Sequence, residues 1–208
     1  TQDSSSAASD VYKRQCYNDT GAVIACAGSG QDGAVQAGGG RSFRINGDGT
    51  VTDNNTGLMW EIKSADASIH SVDRAYQWET AFSVFLNTLN NRCADEVTDC
   101  TATGDAACQG IGNGQCGFAG YRDWRVPNKL ELHTIINSEV SYPTVDAVFD
   151  TPCPAGCTSA ACSCTAPAYY HSATSYADNP ALAWGVSFFD GSINPGGKMF
   201  LYRVRAVR

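Results

Sequence analysis

The sequence predicts an α+β domain, and three observations carry that prediction. Apolar residues step by three and four along residues 74–90 and again after Asn128, as on the inner face of a helix. Strand-like alternation fills the last forty positions. Strands and helices come in separate runs and not as repeated strand-helix-strand units, which excludes a parallel α/β sheet.

In chain order, residues 43–52 read as two short strands around Asn46-Gly47-Asp48-Gly49, a run that tolerates positive φ and suits a tight hairpin. Residues 53–62 form a turn into a further strand. Ala75, Trp78, Phe82, Phe85 and Leu89 then line one face of an amphipathic helix. Residues 91–120 hold four cysteines and many glycines, a loop long enough to require either a function or staples. The junction at 120–132 ends a strand and starts a helix. Trp124 and Val126 alternate with Asp123 and Arg125, and Pro127 forbids further ladder pairing. Asn128 caps the new helix, Glu131 sits at the capping-box distance, and Leu130, Leu132, Ile135 and Ile136 supply the apolar face. Trp124 belongs to the core. Residues 141–167 make a second cysteine-rich excursion. Residues 169–176, then Trp184, Val186 and Phe188, then Phe200, Tyr202, Val204 and Ala206 give three antiparallel strands, with a turn at Asp190-Gly191.

The chain has 208 residues, enough for one domain with a real core. Its 14 basic and 21 acidic residues give a net charge of -7, which argues against nucleic acid and anionic membranes as partners. No apolar run is long enough to span a bilayer, so membrane insertion is not expected. Residues 1–15 read as a disordered leader or a sequence artefact, because the run from Ser6 resembles adapter-derived peptide at the ends of metagenomic reading frames. The true N-terminus and any export signal then lie outside this chain. Residues 16–42 form a Gly-rich segment, and residues 43–208 the main domain.

Ten cysteines point to an oxidising, extracellular or cell-surface location. They fall into even local groups: Cys16 with Cys26; Cys93, Cys100, Cys108 and Cys116; and Cys153, Cys157, Cys162 and Cys164. A Cys16-Cys26 staple is expected, and the two groups of four leave three pairings each. Zinc is the rival, but the spacings lack the C-x2-C knuckles of zinc ribbons, so disulfides are favoured. Calcium could be proposed at Asp48 and Asp53. Two carboxylates without an EF-hand spacing fit turn chemistry better, and no other cofactor is expected.

Five segments, 46–60, 123–132, 170–177, 183–191 and 202–208, together resemble the domain family named for the C-terminal domain of the Legionella collagen-like adhesin. The resemblance implies a C-type-lectin-like architecture, in which two helices pack on a twisted antiparallel sheet. It also implies that loops between the second helix and the final strands present the ligand face. Formylglycine-generating enzymes share that architecture, but no shared activity is implied. The lectin calcium motifs are missing, since Val126-Pro127-Asn128 has Val where the ligand carboxylate would stand. No Cys follows Cys164, so the enzyme's cysteine pair is missing too. Glycosaminoglycan binding would need a basic surface that this acidic chain lacks.

No nucleophile motif surrounds His70, His133 or His171, so a non-enzymatic protein is expected. For binding, Tyr176, Asp178, Asn179, Trp184, Asp190, Asn194 and Lys198 combine aromatic faces with amides and carboxylates, the chemistry that recognises a glycan or a surface protein. Arg122, Arg125, Arg203, Arg205 and Arg208 would cluster if the junction strand lies beside the last strand, with carboxylate pairing as their expected fate. The function that follows is adhesion or recognition. The alternative is a structural subunit in which the Gly-rich segment drives assembly of a homo-oligomer or filament; a lesser one is an enzyme of the formylglycine-generating kind.

Overall fold

The computed structural model describes residues 16–31, 34 and 40–208. The expected leader at 1–15 lies outside the described residues, as does most of the Gly-rich run at 32–39. The chain divides into two units, one ending at Arg41 and one spanning Ser42–Arg208. In the first unit, strands β1 (Cys16–Tyr17) and β2 (Val23–Ile24) form an antiparallel hairpin closed by the Cys16–Cys26 disulfide. The Asn18 side chain accepts the Thr20 and Ala22 amides, which shapes its turn.

The second unit is α+β, with two three-stranded antiparallel sheets and short helices. The first sheet has the order β3 (Phe43–Ile45), β4 (Thr50–Asp53), β5 (Met59–Glu61). Its β3–β4 turn falls on Asn46-Gly47-Asp48-Gly49 with Gly47 and Gly49 at positive φ, as the composition predicts. The other sheet is a meander of β6 (Tyr169–Ser175), β7 (Leu182–Ser187) and β8 (Ile193–Gly197).

The first helical segment begins at Trp78 and not at residue 74, because the Tyr76 backbone exchanges both hydrogen bonds with Tyr202 and the Trp78 amide reaches the Lys198 carbonyl. It runs as an α turn (Trp78–Thr80), a π stretch (Ala81–Leu86) and an α end (Asn87–Asn91). Phe85 and Leu89 are buried as predicted, with Leu86 and Ala81 beside them. The second helix, Lys129–Thr134, carries the full capping box: Asn128 Oδ1 accepts the Leu130 and Glu131 amides at 2.9 Å, and Glu131 Oε2 accepts the Asn128 amide at 2.8 Å. Leu132, Ile135 and Ile136 face inward, whereas Leu130 does not: it is 69% exposed, in the first turn on the solvent side.

The final segment also departs from its predicted role. The third strand of the meander is β8, despite its Asn-Pro-Gly-Gly sequence, and Phe200 is exposed. Residues 202–207 instead make single bridges to Tyr76, Tyr170, Trp60 and Arg125. Val207 packs into one core with Trp60, Leu132, Phe149, Tyr170 and Phe188, while Val204 and Ala206 pack into the other with Phe85, Leu89, Trp124 and Val126. A segment running between two cores is buried on both sides, so its alternation does not mark one sheet face.

The staples fall within the expected groups. Cys93–Cys108 and Cys100–Cys116 interleave, and all four of these cysteines are buried in a small cluster with Ala107 and Ile111. Cys153–Cys164 and Cys157–Cys162 nest. Among the described residues no helix is long and apolar enough to cross a membrane.

Candidate functional site

The site grows from β5. Trp60 and Ile62 point into the apolar core, which forces Glu61 and Lys63 to the opposite side. That side is also covered, so both charged groups are buried: Glu61 is 0% and Lys63 2% exposed. They solve the problem together. Glu61 Oε1 accepts from Lys63 Nζ at 2.9 Å and pairs with His70 Nδ1 at 2.8 Å, while Oε2 accepts the Ala206 amide at 2.9 Å. Arg205, equally buried, donates to the carbonyls of Glu61 and Cys164 and to Thr165 Oγ1. Burial alone would raise the Glu61 pKa, but the Lys63 charge, the His70 and Ala206 hydrogen bonds and the His70 charge outweigh it and hold the carboxyl at about 2. For Lys63 burial wins and its pKa falls, the nearby Glu61 only partly offsetting it.

The ionised Glu61 accepts from His70 Nδ1, which orients the ring, and the oriented ring borders an open space. That space is a cleft of about 380 Å³, walled by His70, Phe118, Leu89 and the Cys93 end of the interleaved staples, and rimmed by Asp48, Asp66, Arg92, Glu96 and Asn113. The Phe118 ring lies 4.1 Å from the His70 ring and 5.1 Å from Trp124, centroid to centroid. Both Glu96 carboxylate oxygens accept the Ile69 amide at 2.9 Å, tying the stapled loop to the loop that carries His70. The Asp66 carboxyl is raised by burial, yet hydrogen bonds from Ser68 and Ser64 hold it below the usual range.

The residues expected to bind ligand lie elsewhere, and none of them lines this cleft. Tyr176 and Trp184 meet edge to face at 5.3 Å, and Lys129 Nζ sits 4.0 Å over the half-buried Trp184 ring. Lys198 Nζ lies 3.9 Å over Trp78 and donates to Ser175 Oγ. Asn194 reaches Tyr169 Oη at 3.3 Å, next to the Tyr169–Tyr202 stack. Asp190 and Asn179 accept the Ser192 and Ala181 amides in turns, and Asp178 is exposed. Asp48 and Asp53 likewise accept the Thr50 and Asn55 amides.

The junction strand does lie beside the last segment, through the Arg125–Val207 bridge, but among the described residues only Arg125 and Arg208 make the expected carboxylate pairs, whereas Arg122, Arg203 and Arg205 donate to backbone carbonyls. Arg125 makes a two-pronged pair with Glu131 at 2.7 Å, Arg208 binds Asp123 and stacks on Tyr121, and Arg203 donates to the Asp73 carbonyl. His171 is buried with Nε2 at 2.9 Å from the Tyr76 carbonyl, and burial lowers its pKa; His133 is exposed.

Sequence reasoning passed over Glu61, Lys63 and Phe118 as site residues and considered His70 only as a catalytic base. The one available signal was the pair of opposite charges two apart in a strand whose other face is Trp60 and Ile62.

No curated protein matches the chain. A family model described as the Lcl C-terminal domain matches residues 49–208, which takes in Glu61, Lys63 and His70, both stapled loops and the final meander. The chain therefore belongs to the Lcl C-terminal domain family.

Proposed function

We propose that this is a non-enzymatic, extracellular recognition domain of C-type-lectin-like design that binds a glycan through the His70 cleft. The observation that carries this reading is the cleft itself. Its volume of about 380 Å³ falls within the roughly 300–1,000 Å³ of small-ligand sites, and it sets an aromatic wall, Phe118 with His70, against convergent polar groups. A sugar ring needs that combination: C–H faces for the aromatic wall and hydroxyls for His70, Asp66 and Asn113. Membership in a family named for an adhesin domain supports the adhesive role, and five disulfides support an oxidising, extracellular setting. Recognition is proposed to be independent of calcium, since Asp48 and Asp53 are spent on their own turns.

A structural role is favoured by one feature, the consecutive exposure of Met199, Phe200 and Leu201 at 80, 59 and 67%. The two readings separate in a glycan-array assay of the oxidised protein with and without calcium, paired with light scattering. Saturable, calcium-independent binding by a species of defined mass supports recognition. A polydisperse or filamentous mass with no glycan bound overturns it in favour of a structural subunit.

A further inference from the structure

The second stapled loop holds its sulfurs in a pattern that pairing alone does not require. Cys153 Sγ lies 3.7 Å from Cys157 Sγ and 3.9 Å from Cys162 Sγ, neither of which is its disulfide partner. Cys162 Sγ lies 3.7 Å from Cys164 Sγ, again across the two bridges. All four sulfurs fall within 4.8 Å of one another. A tetrahedral zinc centre with Zn–S bonds of about 2.3 Å has sulfur–sulfur edges of about 3.8 Å. Three of the six edges, all of them across the bridges, are already at that length, and the two bonded pairs reach it only when reduction opens them.

We propose that the loop at residues 151–165 is a redox-dependent metal site: with both disulfides reduced, Cys153, Cys157, Cys162 and Cys164 coordinate one zinc-class cation. The chemistry balances with a dithiol as reductant. Two dithiols deliver four electrons and four protons, open two disulfides to four thiols and leave as two disulfides. The four thiols then bind one divalent cation as thiolates and release four protons, giving a centre of charge 2−.

The surroundings suit such a centre. The Cys164 amide donates to the Lys63 carbonyl and the buried Arg205 guanidinium donates to the Cys164 carbonyl, so one buried cation adjoins the loop directly. The same loop serves as two staples when oxidised and as a closed, four-ligand site when reduced. The other group of four differs: only Cys93, Cys100 and Cys108 come within that distance of one another, so the inference gives one metal per chain and not two. It does not depend on the glycan reading.

The test uses the full chain, reduced without oxygen, supplied with zinc, desalted and assayed for bound metal, with cobalt(II) as a spectroscopic substitute. One equivalent of zinc, tetrahedral cobalt–thiolate bands and protection of these four cysteines from alkylation are expected. The oxidised protein should retain essentially none. The double variant Cys157→Ser/Cys162→Ser should lose the metal, while Cys93→Ser/Cys108→Ser should keep it, which separates loss of ligands from loss of a staple. A reduced chain that retains no zinc, or retention unchanged in Cys157→Ser/Cys162→Ser, would overturn the proposal.

Discussion

Replacing Glu61 by Gln probes the buried network with little change of shape. The substitution keeps an acceptor for the Ala206 amide but removes the charge that faces Lys63 and His70. Two routes give its size. The carboxyl lies at about 2 and not at its ordinary 4.5, which corresponds to about 3 kcal/mol of stability. Removing one partner of a buried pair costs about 3–5 kcal/mol, because the other charge is left unopposed. The agreement makes about 3–4 kcal/mol the expected loss at pH 7. The sign follows from a folded-state pKa that is depressed. The contribution is complete above 4.5 and fades as pH falls through 2, so the wild type should lose stability in that window and Glu61→Gln should lack this component. The assay is urea unfolding of the oxidised protein followed by tryptophan fluorescence at several pH values. Adding Lys63→Met should recover part of the loss, since the double change no longer buries an unpaired charge. A loss below about 1 kcal/mol at pH 7, or an unchanged acid slope, would refute the assigned network.

Other outcomes follow from local geometry. Asn128→Ala removes the helix cap and should cost about 1 kcal/mol in the same unfolding assay, with Asn128→Ser nearly neutral. Gly117→Ala should destabilise by more than about 2 kcal/mol and disturb the cleft, because φ is +85° and a Cβ would stand 2.1 Å from the Tyr121 carbonyl oxygen. Replacing Cys100 and Cys116 together by Ser opens a bridge across 16 residues and should lower stability by about 3 kcal/mol, read as a lower urea midpoint.

What was legible in the sequence was what neighbours along the chain decide. Asn128 and Glu131 are three residues apart, so the capping box could be read directly, and Asn46-Gly47-Asp48-Gly49 announces its turn through its own backbone preferences. The stripe from Phe85 to Leu89 and the even cysteine groups are local for the same reason. The burial of Glu61 and Lys63 was not legible, because Glu61 acquires its environment from Ala206 and Arg205, some 145 residues away. A charged residue in an alternating strand reads as solvent-facing until a second layer covers it. Residues 202–207 were misread for a related reason: burial from two sides erases the period of two. Leu130 reads as part of the apolar face, yet a helix turns it about 160° away from the buried Leu132 and leaves it exposed. The expected ligand face was legible only as a composition, whereas the cleft joins Asp48, His70, Glu96 and Phe118 from four separate stretches.

The most direct test of glycan recognition at the cleft compares His70→Ala and Phe118→Ala with Asp178→Ala/Asn179→Ala on the same glycan array. Binding lost in the first two and kept in the third is the expected result. Binding kept in the first two and lost in the third would contradict the assignment and move the ligand face to the loop after β6.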